Sequence, residues 1–177
     1  MNEHSSNKKG GRSKMDKTIS SMVFNRVEKY GDYPVLRFKE DGSWHDIKWS
    51  EFGEKIDSLA NGLLSLGIQP EDKVAILSEN RPEWAITDIG IISVRGVVVP
   101  IYHTNRANQI QYVLEHSESK ILIVSKEEML AEVLEIRENL KQLEHIFLID
   151  RVGSIEIPDE IKDFDDLLEL GRKYRKK

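Results

Sequence analysis

His103 is the side chain whose type and setting best suit chemistry, lying between Tyr102 and Thr104 just after the apolar run Val97-Val98-Val99-Pro100-Ile101. An imidazole exchanges its proton near neutral pH, and α/β proteins put ligand-contacting side chains just past strand ends. No base or metal partner stands at a recognisable spacing from it, so a surface or packing role competes with substrate contact. Arg81 and Trp84 suggest recognition of an anion and a ring, against plainer roles as helix-start charge and core anchor. His116-x-Glu118 is half of a zinc-deaminase signature whose cysteines cannot be supplied, because the chain has none; His116 is read as a helix-end residue. Asp163-x-Asp165-Asp166 lacks the glycine of a calcium loop and reads as an acidic helix start. Lys8-Lys9-Gly10-Gly11-Arg12-Ser13-Lys14 has the wrong spacing for a phosphate loop. Serines occur without a nucleophile elbow. No catalytic, cofactor-binding or metal-binding residue is therefore assigned, and His103 alone stands as a candidate substrate contact.

A chain of 177 residues with five Phe and three Trp can bury one core. Its net charge of −5, with both signs interspersed, gives no global case for nucleic-acid binding. Without cysteine there is no disulfide, thiolate nucleophile or cysteine-based metal site. Residues 1–17, polar and lacking an apolar h-region, read as a disordered tail and not a secretory signal. The most apolar stretch, 84–102, is interrupted by Asp88, Arg95 and Pro100, which argues against a transmembrane segment.

The elements that would position these residues follow from periodicity. Helical spacing from Thr18 ends at Tyr30-Gly31-Asp32. Two β-prone runs, 35–39 and 44–49, flank Asp41-Gly42, a strong hairpin signal. Ser50 is expected to cap a helix carrying Phe52, Ile56, Leu59, Ala60, Leu63 and Leu64, closed by Gly67. A continuous apolar run at 73–77 suits a parallel strand covered on both faces. A helix starting at Pro82 is expected to end at Gly96, before a central strand at 97–100. Helices at 108–115 and 127–140 then alternate with strands at 120–124 and 146–150. A last short helix around Phe164, Leu167, Leu168 and Leu170 leads into the basic end Gly171-Arg172-Lys173-Tyr174-Arg175-Lys176-Lys177. The fold class is α/β, a partial doubly wound and mainly parallel sheet with flanking helices and an N-terminal β-hairpin.

Three ordered segments carry a resemblance: Trp49-Ser50-Glu51-Phe52, Leu63-Leu64-Ser65-Leu66-Gly67-Ile68, and the stretch from Asp72-Lys73-Val74-Ala75 through Asn80-Arg81-Pro82-Glu83-Trp84. Gly96-Val97-Val98-Val99-Pro100-Ile101-Tyr102-His103-Thr104-Asn105, Ser119-Lys120-Ile121-Leu122-Ile123-Val124 and Leu143-Glu144-His145-Ile146-Phe147-Leu148-Ile149-Asp150 continue it at compatible spacing. Together they resemble the N-terminal part of the AMP-forming long-chain fatty acyl-CoA synthetases, within the adenylate-forming enzymes. The resemblance implies ATP- and magnesium-dependent activation of a fatty acid to an acyl-adenylate with release of pyrophosphate, then transfer to coenzyme A. It also implies a Ser/Thr/Gly-rich phosphate loop ending in Lys-Gly and a later Tyr-Gly-x-Thr-Glu segment, neither of which occurs in these residues.

The expectation is thus that residues 18–177 are the N-terminal α/β portion of an AMP-binding synthetase domain, truncated before the phosphate loop and inactive alone, with no cofactor of its own. A downstream polypeptide would complete it, or self-association would cover its open apolar face and strand edges. The alternative is a non-catalytic module that binds protein or lipid. The expected location is cytoplasmic, in solution or peripheral to a membrane.

Overall fold

The computed structural model describes residues 18–176; the tail expected over 1–17 lies outside them. Thr18 caps helix α1 (Ile19–Tyr30), its hydroxyl accepting from Ser21 N at 3.1 Å. The chain then forms an antiparallel hairpin of β1 (Pro34–Glu40) and β2 (Ser43–Lys48). Asp41 and Gly42 both take positive φ, 48° and 81°, as the hairpin turn read from their types requires.

Helix α2 (Trp49–Ser65) starts one residue before the expected cap. Ser50 lies inside its first turn. The amides of Trp49 and Ser50 donate instead to the carbonyls of Tyr33 and Gly31, at 3.0 and 2.9 Å, so the preceding turn satisfies the helix start without a side chain. At the other end Gly67 has φ +84°, Ile68 N donates to Leu63 O, and Gly67 N donates to Leu64 O, which is the Schellman closure expected of a glycine there.

Five parallel strands follow in the spatial order β4-β3-β5-β6-β7: β3 (Lys73–Leu77), β4 (Val97–Ile101), β5 (Ile121–Lys126), β6 (His145–Asp150) and β7 (Lys162–Asp163). Connecting them are α3 (Pro82–Ser93), α4 (Ala107–Ser117) and α5 (Glu127–Leu134), and α6 (Phe164–Arg175) closes the fold. Side chains alternate across the sheet. Val74, Ile76, Ile121, Ile123 and Phe147 pack under α2, α3 and α6, whereas Ala75, Leu77, Leu122, Val124 and Leu148 pack under α4 and α5. Both faces are covered, so β3 and β5 read as unbroken apolar runs. A third cluster, with Val23, Ile47, Phe52, Ile56 and Ile86, joins the hairpin and α1 to α2 and α3.

Several elements depart from the sequence reading. The run at 97–101 is an edge strand, not a central one. Val97 N donates to Asp72 O in the β3 direction, so Val98 and Pro100 turn their backbones outward, where a missing N–H costs nothing. Helix α3 ends at Ser93 with Val94 as its C-cap, and Arg95 rather than Gly96 takes the left-handed position, φ 63°. The helix expected at 127–140 breaks into α5 and a 3-10 turn, Arg137–Asn139. The short last helix runs on through Gly171 and the basic residues to Arg175. A Cβ there would stand 1.7 Å from Ser58 O of α2, and one on Gly62 would stand 2.4 Å from Leu167 O of α6. These two glycines let the helix backbones touch.

Candidate functional site

All five strands point the same way, so their C-terminal ends form one rim. The winding runs out from β3 to β4 and then back across to β5, which puts the topological switch point, where such folds bind ligands, beside the ends of β3 and β5. The residues found there are Ser78, Glu79, Asn80 and Arg81 after β3, Ser125 and Lys126 at the end of β5, and Asp150 at the end of β6.

Five of these side chains, those of Glu79, Arg81, Ser125, Lys126 and Asp150, are spent on one another. Arg81 grips Asp150 with both terminal nitrogens, at 2.7 and 3.0 Å, and gives its Nε–H to Glu83 at 2.7 Å. Glu79 accepts from the Ser125 hydroxyl at 2.6 Å and pairs with Lys126 Nζ at 3.0 Å. Burial alone would raise the Glu79 carboxyl, but the bonds from Ser125 and Lys126 outweigh it and hold the group below its ordinary range. Arg81 is raised, because Asp150 and Glu83 overcome the cost of its burial. The network laces the ends of β3, β5 and β6 together across the crevice.

Three concavities open on this rim, and Glu79 lines each. One of about 560 Å³ lies between the hairpin and the Glu79–Pro82 turn. One of about 420 Å³ is walled by Trp84, Pro100, Tyr102 and His103. One of about 460 Å³ runs from His103 and Arg106 to Lys126 and Glu132. His103 is exposed and borders the last two. Trp84 is half-buried against the core as well as lining the cleft.

The remaining sequence candidates lie apart from the rim. His116 lies in the last turn of α4 and stacks on Tyr112, centroids 5.7 Å apart. Asp163 opens α6, its amide donating to Asp166 at 3.2 Å. In the basic end, Arg172 and Lys173 pair with Glu169 and Arg175 pairs with Asp57. Arg81 is far more than a surface charge, its side chain only 18% exposed. Glu79, Ser125, Lys126 and Asp150 were missed; the available signal was their place at the ends of successive parallel strands. Among the described residues no group of three or more His, Asp or Glu could hold a metal ion, and no helix is long and apolar enough to cross a membrane.

The rim does not fit a nucleoside triphosphate. Glu79, Glu83 and Asp150 set three carboxylates against Arg81 and Lys126. The turn Ser78-Glu79-Asn80-Arg81-Pro82 has no glycine to bring backbone amides onto phosphate.

Comparison with known proteins agrees with this architecture. The chain is similar to the long-chain-fatty-acid–CoA ligase ACSBG2 of Xenopus laevis, 33% identical over 162 residues that cover 88% of this chain and 21% of the relative. It is similar to the long-chain-fatty-acid–CoA ligase FadD15 of Mycobacterium tuberculosis, 35% identical over 76% of this chain and 22% of that protein. The chain therefore spans about a fifth of the length of these curated relatives. Among solved structures, the anthranilate CoA ligase AuaEII superposes with a TM-score of 0.75 at 22% identity, covering 85% of this chain and 27% of that one. Acetoacetyl-CoA synthetase from Streptomyces lividans gives 0.75 at 22% identity, over 84% of this chain and 24% of that one. At such identities the structures speak for the fold alone. The family described as AMP-binding enzyme matches residues 23–169, and by that match this chain belongs to the AMP-binding enzyme family.

Proposed function

We propose that residues 18–177 form the N-terminal α/β portion of a long-chain fatty acid–CoA ligase domain, working in the cytoplasm, which converts ATP, fatty acid and CoA to acyl-CoA, AMP and pyrophosphate. The similarity to long-chain-fatty-acid–CoA ligases over 76–88% of the chain carries this reading. In it this portion is a scaffold, inactive alone. A rim whose charges neutralise one another positions neighbouring segments and leaves ATP, magnesium and CoA to parts of the family protein that these residues do not include. His103, bordering two clefts, is the residue proposed to face substrate.

The test is fatty-acid-dependent pyrophosphate release from ATP and magnesium, by this chain with and without a polypeptide supplying the following family segments. Release only from the mixture is expected. Release by the chain alone would overturn the inactivity claim. Silence in both would favour a non-catalytic module, and sedimentation would then show whether self-association takes the place of a completing partner.

A further inference from the structure

The open edge of β4 is not guarded by charge. Edge strands are ordinarily blunted by lysine, proline or a bulge against pairing with another strand, and Val97-Val98-Val99-Pro100-Ile101 has only its proline. Among the described residues no strand takes the outward N–H and C=O of Val98 or the outward C=O of Pro100. Val97 is 42% exposed. Beside this edge runs α3, whose Trp84, Ala85, Ile86, Ile89, Ile91 and Ile92 leave it no polar side, the composition of a helix buried all round. Its flank toward the hairpin and α1 is filled by Ala85, Ile86 and Ile89, while Gly90 and Ile91 lie against α2 and the sheet. The flank toward β4 is open. Trp84 packs with the cluster that holds Val98 and lines the cleft with Pro100, and Asp88 and Ile92, one and two helical turns on, continue its line, all three half-buried.

Two opposite charges on this flank have no side-chain partner among the described residues. One is Asp88, whose carboxyl is raised above its ordinary pKa by burial. The other is Arg95, exposed just past the helix end in the left-handed conformation. They stand about two helical turns apart with Ile92 between them. A half-buried carboxylate without a cation is unfavourable, and a second copy of the chain supplies the cation. Turned about a two-fold axis beside Val98 and Ile92, α3 runs antiparallel to its mate, so that Asp88 meets the second copy's Arg95 and Arg95 meets the second copy's Asp88. The same rotation lets Val98 exchange both backbone hydrogen bonds with the second copy's Val98, as an antiparallel pair does. One operation satisfies the charges and the strand edge together, which selects a second copy over an unrelated strand.

We propose that the chain dimerises through the β4 edge and the adjoining flank of α3, the two β4 strands pairing antiparallel about Val98. The inference rests on this edge alone and is independent of the ligase reading. Sedimentation equilibrium of the full chain should show a dimer that dissociates on dilution. Arg95→Asp sets like charges opposite each other, and aspartate tolerates the left-handed backbone there. That variant should melt like the parent while its dimer dissociation constant rises about tenfold or more. Adding Asp88→Arg to it restores the pairs with their signs exchanged and should return most of the affinity. Because the chain has no cysteine, Ile92→Cys places a lone thiol beside the axis. Mild oxidation should link its copies, whereas Tyr112→Cys, exposed on α4, should stay unlinked. A chain that remains monomeric at the highest concentration reached would overturn the proposal, as would an Arg95→Asp dimer as tight as the parent's, or Ile92→Cys copies that do not link. A polypeptide supplying the following family segments that displaces the second copy and blocks the Ile92→Cys link would also overturn it, giving the edge to that segment.

Discussion

Helices α2 and α6 meet where side chains are missing, whereas the ends of β3, β5 and β6 meet through side chains that reach across a crevice. The first contact is made by Gly62 and Gly171, with backbone against backbone. The second is made by Arg81, Glu79, Lys126 and Asp150, with charge against charge. A backbone contact has no freedom to adjust, because neither partner can rotate away. A charged contact has several torsions and water at its margin, so it can rearrange. The difference teaches that the sheet's periphery is rigid on its helical face and adaptable on its rim, although both look equally well filled.

Gly171→Ala is the sharpest way to break this comparison. The added methyl would lie 1.7 Å from Ser58 O and 2.7 Å from Gly62 N, so the helices must part along the face that buries Leu59, Leu63, Leu167 and Leu168. A loss of about 3 kcal/mol or more is expected, measured as a lower urea midpoint, with the chain failing to accumulate as the extreme. A variant as stable as the parent would mean that α6 slides freely and that the contact is no more rigid than the rim.

Arg81→Ala should do less. It strips Asp150 and Glu83 of their shared cation in a half-buried setting, which costs about 2 kcal/mol. Arg81→Lys should recover only part of this, since an ammonium cannot span both oxygens of Asp150. Full recovery by lysine would show that the fork geometry is incidental.

These two regions were unequally legible in the sequence. Gly67 was readable because its role is local, a left-handed residue ending an amphipathic stripe. Gly171 gave no such local signal, because its role is set by Ser58 and Gly62 more than a hundred residues earlier. Ser50 failed as a cap for a similar reason: the carbonyls of Gly31 and Tyr33 do that work. The doubly wound order was visible in the alternation of apolar runs, but the edge position of 97–101 had its one clue in Pro100. At the rim, His103 drew notice through its residue type, while the Arg81–Asp150 pairing depends on which strands become neighbours and cannot be read from local pattern.

Glu127 extends the rim's logic to a loop. Its carboxylate, only 2% exposed at residue level, accepts from the Val152 and Gly153 amides at 2.7 Å, the Ser154 amide at 2.6 Å, and the Ser154 hydroxyl. The Ser154 bond foremost, with the three amides and against the effect of burial, lowers its pKa from the ordinary 4.5 to about 2. A folded pKa below the unfolded one stabilises above about 4.5 and loses that stabilisation as pH falls through about 2. Glu127→Gln should therefore lower Tm by about 5 °C at neutral pH, and the gap from the parent should close as the pH approaches 2. A gap constant with pH would assign the effect to shape and not to charge.

The smallest effect belongs to a pair that is bidentate like Arg81–Asp150 but lacks its burial. Arg37 grips Asp46 across the hairpin with Nε and Nη2 at 2.6 and 2.7 Å, but the two side chains are 64% and 37% exposed. Water competes for both partners, and salt screens them. Arg37→Ala should change Tm by less than about 1 °C, against the clear loss from Arg81→Ala, where burial and the second carboxylate, Glu83, both add to the cost. Equal losses would mean that bidentate geometry alone sets the strength of these pairs. The rim would then owe nothing to its position between the strand ends, and its distinction from the hairpin would fall.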